Sequence, residues 1–313
     1  MNNFSIGLLE MGYREDNKNS LETIQEVIDY AIRADELGFS RFWLTEHHDD
    51  DTTLSYASPE ILISLIVGMT DRIKVGAAGI LTKIHDPYLT ASNFKFLNNL
   101  FYNRIDLGLA NSNPDNLYLV NKVYNPKDEN LFENKLKQIY SLLYDEKLTR
   151  KKEQLVLPPF GGLLPDLWCL SVSYRSFDRA IKYKMNYCRS IMHGKGLIND
   201  NYGREELIKF KDQFYNSNNF LPKVNLNIGI SINKNSFKNQ SKFQATKNSN
   251  LIHFDSIGQL EDLLYEYQIL YGIDEFILWD TEVNNDKKLE NIEAISNIFN
   301  LNKELVSEVK ENI

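Results

Sequence analysis

The chain has 313 residues, 42% hydrophobic and 25% charged, with a formal net charge of −8. This describes a globular protein whose core needs no disulfide or structural metal, and the acidic balance, with no basic run to offset it, excludes nucleic acid as the main partner. The longest apolar run, residues 61–69, is too short to span a bilayer, no cationic segment precedes an apolar one near the N-terminus, and Cys169 and Cys188 read as buried thiols, so a cytoplasmic, membrane-free protein is expected.

Residues 4–9 form a short apolar strand. Ser20 is placed to cap a helix with Leu21, Ile24, Val27, Ile28, Ala31 and Ala34 inward, ending at Gly38. Residues 42–45 are a second strand and 46–51 its polar exit. Ser58-Pro59 then opens another helix. The third apolar run, 73–81, is interrupted by Gly76-Ala77-Ala78-Gly79, and small residues inside a strand mark a close approach to the backbone. Asp86 is an N-cap and Pro87 the first residue of a helix with Leu89, Phe94, Leu97 and Leu100 inward. Residues 104–109 follow as a strand. This strand–helix–strand succession is a βαβ unit and implies a parallel sheet.

Residues 111–129 read as a long polar loop. Residues 130–145 are helical, with Leu131, Leu136, Ile139, Leu142 and Leu143 inward, and 146–165 are an excursion on a rim. Strands at 167–172 and 186–192 each precede a helix, at 175–184 and 202–215. A seventh strand has Val224, Leu226, Ile228, Ile230 and Ile232 in period two. Ser256 and Gln259 form a capping box for a helix to Tyr271, residues 275–279 are the eighth strand, and a helix from Lys288 closes the chain. Eight strands alternating with helices is the count of a (β/α)8 TIM barrel, expected as a single domain over 1–313 with excursions at the C-terminal face of the strands. Residues 233–250 carry Lys234, Lys238, Lys242 and Lys247 with no acid. They read as a solvated loop or, preferred for their place after the seventh strand, as a lid suited to an anionic cofactor or acidic substrate.

Glu46-His47-His48-Asp49-Asp50-Asp51 has the residue types of a metal site. On an extended strand, however, His47 and His48 point to opposite faces, and the spacing fits no zinc pattern, so no metal is expected. No phosphate loop, Rossmann fingerprint or serine-hydrolase elbow occurs.

Four pieces together resemble the luciferase-like family of flavin-dependent oxidoreductases. They are Phe42-Trp43-Leu44-Thr45-Glu46-His47-His48, the run 73–81, His85-Asp86-Pro87 and the run 104–109. The likeness is clearest over the first 110 residues. It implies a (β/α)8 barrel with a flavin at the strand ends. His47 then lies near the reacting centre, to exchange protons or hydrogen-bond, whereas Glu46 and His48 could simply brace neighbouring loops. Ala77, Ala78 and Gly79 lie against the isoalloxazine, with a cis peptide at Ala78-Gly79; tight helix packing is the plainer account of the same small residues. By the same resemblance, the turn after the fifth strand, with Ser173, Tyr174, Arg175 and Ser176, is expected to hold the FMN phosphate. Asn111 stands where several relatives have an arginine, a loss of charge that Arg175 could restore.

His85 and His193 are assigned to the substrate pocket, Asp86 only to its cap, and His253 to packing beside the lid. The function implied is a monooxygenase acting on a small organic or natural-product substrate, with reduced FMN from a separate flavin reductase and dioxygen. A flavin- or deazaflavin-dependent reductase tailoring a natural product such as a modified peptide is the second possibility. A non-catalytic flavin-binding or interaction protein is the third. A homodimer through the helix at 59–69 is implied as well.

Overall fold

The apolar runs become strands β1 (Ser5–Glu10), β2 (Arg41–Leu44), β3 (Lys74–Leu81), β4 (Ile105–Ala110), β5 (Asp166–Ser171), β6 (Asn186–Ser190), β7 (Val224–Ile232), β8 (Leu251–Phe254) and β9 (Glu275–Asp280) of one sheet. The structure is a computed structural model and describes residues 4–48, 52–113, 116–125, 127–193, 201–232 and 250–302. Every pairing between these strands is parallel; β1 pairs with both β2 and β9, and β7 with both β6 and β9. Eight strands therefore close into a ring, as the (β/α)8 pattern requires.

The ninth, β8, lies outside the ring. Strand β6 pairs with the Val224–Asn227 half of β7 and then stops, while β8 pairs with Gly229 to Ile232. The longer β7 would otherwise leave backbone groups of its last residues unpaired, and β8 takes them up.

Helices α1 (Ser20–Glu36), α2 (Glu60–Gly68), α3 (Pro87–Leu100), α4 (Leu117–Lys122), α5 (Leu131–Tyr144), α6 (Glu146–Glu153), α7 (Phe177–Lys182), α8 (Asn201–Asn218), α9 (Ile257–Tyr271) and α10 (Asn285–Phe299) accompany the strands. Several helix starts differ in detail from the sequence reading. Asn19, not Ser20, caps α1, and its partner in the capping box is Glu22. Pro59 stands at the cap of α2 with no side-chain bond. Asp86 caps α3 as expected, accepting from the Tyr88 and Leu89 amides. At α9 the Gln259 side chain accepts from the Asp255 amide rather than that of Ser256.

The excursion at 146–165 contains α6 and connects α5 to the start of β5, so it lies on the N-terminal rather than the C-terminal face. Lys95 of α3, fully buried, ties it down through Glu146 Oε1 at 2.7 Å and the Leu157 carbonyl at 2.8 Å. The polar loop at 111–129 contains α4, capped by Asn116. The expected lid at 233–250 lies outside the described residues except for Asn250, whose amide donates to the Met192 carbonyl at 2.7 Å.

Near the strand beginnings the barrel is closed by a buried polar floor. Arg41 Nη1 meets Asp106 Oδ2 at 2.5 Å and its Nε meets Glu275 Oε1 at 2.7 Å. The Trp43 and Trp168 indoles also donate to Asp106, at 2.8 and 3.1 Å, with their rings edge to face 5.0 Å apart. Such a cluster is stable only because each buried charge has partners. No helix among the described residues is long and apolar enough to cross a membrane.

Candidate active site

Above the floor, the C-terminal ends of the strands surround a cavity of about 600 Å³, within the usual range for small-molecule sites of roughly 300–1,000 Å³. One wall is the Gly76–Gly79 break. A Cβ at Gly76 would collide with the Asp106 carbonyl of β4, and one at Gly79 with the Leu170 side chain and the Gly108 carbonyl. The glycines therefore answer to neighbouring strands rather than to a helix. The register between β3 and β4 shifts between Ala77 and Ile80, and the Ala78-Gly79 peptide is cis, as the family resemblance implied. Ala78 and Gly79 line the cavity, whereas Ala77 is buried in the outer core.

The polar end of the cavity lies beside β5 and α7. Ser171, Ser176 and Arg179 line it, with Asn111 on the adjoining β4 loop. Arg179 bonds Glu133 Oε1 through Nε at 2.6 Å, reaches Ser176 Oγ at 3.4 Å, and rests 4.9 Å from the centre of the Phe132 ring. The other residues assigned to the phosphate turn away. A single 3-10 turn, Tyr174 to Ser176, precedes α7; Arg175 is exposed, and Tyr174 is buried against Phe177. Ser173 caps the turn, and its carbonyl accepts from the Tyr187 hydroxyl. Arg179 was the residue that sequence reasoning missed. Its signal was the i,i+3 spacing from Ser176 once the helix start is placed correctly.

His47 and His48 both line this cavity, and both also line a second one of about 500 Å³ bounded by Tyr56, Asn116, Tyr118 and Leu119. The Glu46 side chain is completely buried. Its Oε1 accepts from His48 Nε2 and from His85 Nε2, each at 2.6 Å, and its Oε2 accepts from the Leu81 amide at 2.7 Å. Burial opposes its charge, but the two histidine hydrogen bonds, the His85 charge and the amide outweigh it and hold the pKa down at about 2. His85 is also desolvated, yet Glu46 and the more distant Glu60 raise its pKa. Glu46 thus does brace two loops, as the plainer reading held, with His85 in the bracket rather than on the cavity wall.

His193 reaches the cavity with its outer face exposed and its Nδ1 2.8 Å from Ser190 Oγ. Desolvation, with His47 as a like charge nearby, lowers its pKa. Cys169 and Cys188 sit on adjacent strands but face opposite ways, Cys169 outward to Arg179 and Cys188 into the cavity; neither forms a disulfide. Among the described residues no group of three or more His, Cys, Asp and Glu could hold a metal ion.

A ligand cavity ringed by strand ends, with histidines on one side and a guanidinium and hydroxyls on another, defines a barrel of the enzyme type. The family model described as luciferase-like monooxygenase matches residues 7–185, more than half of the chain, and the chain belongs to that family of flavin-dependent oxidoreductases. It is 30% identical over 176 residues to YwcH of Bacillus subtilis (strain 168), a match covering 55% of this chain and 52% of that protein, so the chain spans about half the length of that curated relative. Among solved structures it resembles apo-MsnO8, with a TM-score of 0.77 at 20% identity over 95% of this chain and 99% of that one. It also resembles the oxygenating constituent of 3,6-diketocamphane monooxygenase from Pseudomonas putida in complex with FMN (TM-score 0.68, 13% identity, 94% and 96% covered). An F420-dependent secondary alcohol dehydrogenase is similar too (TM-score 0.68, 12% identity, 93% and 98% covered). At these identities the structural likeness establishes the fold.

Proposed function

We propose that the protein is a monooxygenase that uses reduced FMN, supplied by a separate flavin reductase, and dioxygen to oxidise a small organic or natural-product substrate. The observation that carries this reading is one cavity lined at one end by a guanidinium and hydroxyls and along a wall by the small residues Ala78 and Gly79. Arg179, Ser171 and Ser176 would hold the phosphate, and Ala78 and Gly79 would flank the ring. The bound flavin supplies the two-electron redox chemistry. Leu9, Met11, Leu170 and Met192 give the cavity an apolar lining that excludes water. His47, on the boundary of both cavities, would hold or move a proton between ring and substrate.

The same polar end would accept a deazaflavin, and the F420-dependent neighbour supports that second reading, a reductase tailoring a natural product. The two buried free thiols support a reducing, cytoplasmic setting. Exposed Ile61 and Leu65 on α2 and Met69 at its C-cap, with Leu89, Phe96 and Leu100 on α3, support a homodimer through these helices. Titration with FMN and with a deazaflavin, read by cofactor fluorescence, is the test. Quenching by FMN is expected. No binding of oxidised or reduced FMN at millimolar concentration rejects the assignment, and tight deazaflavin binding moves it to the reductase.

A further inference from the structure

Glu46 carries a charge with no solvent contact at all. An ionised carboxylate oxygen can only accept hydrogen bonds. Each 2.6 Å contact to its Oε1 therefore takes its hydrogen from an imidazole, and both His48 Nε2 and His85 Nε2 must be protonated. The third bond, from the Leu81 amide to Oε2, holds the carboxylate in place. The two rings differ in what lies at their other nitrogen. His85 Nδ1 faces Glu60 Oε1 at 3.8 Å, which favours a second proton on that ring. His48 lines both cavities and has Glu46 as its only carboxylate partner among the described residues.

We propose that Glu46 is a positioning residue: by accepting Nε2–H from both His48 and His85 on one oxygen, it turns Nδ1 of His48 to the cavities as a proton acceptor while His85 carries the balancing positive charge. The groups facing His85 are Glu46 beyond β2, Glu60 on α2, His48 across the shared oxygen, and Lys135 of α5, whose ammonium bonds the His85 carbonyl at 2.7 Å. Two carboxylates against one ammonium leave the local balance in favour of an imidazolium, in keeping with the raised pKa of His85. A carboxylate behind Nε2–H fixes the tautomer of the His48 ring, as outer partners do for other working histidines. What Nδ1 accepts from rests on the flavin reading; the protonation pattern does not, because it exists in the unliganded chain.

The full-length chain labelled with 15N-histidine tests this by two-bond 1H–15N correlation spectra without cofactor. The sequence has five histidines, so single His→Gln variants assign them. His48 should carry a proton on Nε2, and His85 should stay protonated on both nitrogens to higher pH than a free imidazole. In Glu46→Gln the His85 titration midpoint should fall, because the hydrogen bond and charge of Glu46 that raise it are lost, and His48 should become a mixture of tautomers. Glu46→Asp, which keeps a carboxylate, should retain part of the pattern. A wild-type spectrum with His48 protonated on Nδ1, or a Glu46→Gln spectrum identical to wild type, overturns the proposal. The wild-type spectrum decides even if the variants do not fold. An intact pattern in a protein that binds no flavin rejects the cofactor and leaves the positioning role standing.

Discussion

Replacing Arg179 with methionine removes a guanidinium from the polar end of the cavity while keeping much of the packing against Phe132. A charge-assisted hydrogen bond contributes about 1.5–3 kcal/mol. Binding of a phosphate, however, must draw Arg179 from Glu133, and both side chains are partly exposed, 25% and 41%. An ion pair in that setting is worth only about 0.2–1 kcal/mol. The net loss is therefore about 1–2 kcal/mol, or roughly a 5- to 30-fold rise in Kd for FMN. Riboflavin, which has no phosphate, should lose little affinity. Parallel fluorescence titrations of FMN and riboflavin isolate that difference. Glu133→Gln should tighten FMN by up to about 5-fold, because Arg179 no longer has a competing carboxylate. Arg175→Ala, at an exposed side chain, should leave FMN affinity within about two-fold. An Arg179→Met variant whose FMN-to-riboflavin ratio matches wild type would refute the phosphate assignment.

His47→Ala should slow oxygen-dependent turnover by about 100-fold or more while barely moving FMN affinity; identical stopped-flow traces for reduced wild type and variant would reject its role. Glu46 has a folded pKa of about 2 against an ordinary 4.5, so its contribution is present above about pH 4.5 and disappears as pH falls towards 2. That contribution is about 3 kcal/mol, and urea midpoints measured down the acid limb should be flatter for Glu46→Gln than for wild type. The exposed apolar residues of α2 and α3 should hold a dimer at micromolar concentration, and Leu65→Glu with Phe96→Glu should dissociate it. Sedimentation of the wild type as a monomer would remove that expectation.

The strands were most legible where an apolar run is bounded by a strong stop signal, as Asp86-Pro87 bounds β3. Strand β2 is only four residues long, and the family resemblance supplied it as much as its pattern did. Strand β8 was missed because Leu251-Ile252-His253-Phe254 exists to complete β7, a debt that periodicity does not record. The inward face of α3 was misassigned for a related reason. Thr90, Lys95 and Asn98 are buried there because Lys95 has Glu146 and Asn98 receives the Ile105 amide, while Leu89 and Leu100 are exposed. In the site, His47, Ala78, Gly79, Asn111, Ser176 and His193 meet at one cavity. Arg175 and Arg179 were indistinguishable in sequence, since one short 3-10 turn decides which of them points inward.

Among the described residues, the floor of Arg41, Asp106, Trp43 and Trp168 closes the barrel at the strand beginnings and leaves the strand ends as the way into the cavity. Traffic through a single entrance is last in, first out: a molecule seated deep cannot leave until the one above it has gone. Two ligands of unequal size must then arrive in a fixed order and depart in the reverse one. An excess of the later arrival would re-enter before the deeper ligand escapes. Turnover would then decline at high concentration of that ligand, and it would decline without any second binding site for the inhibitor.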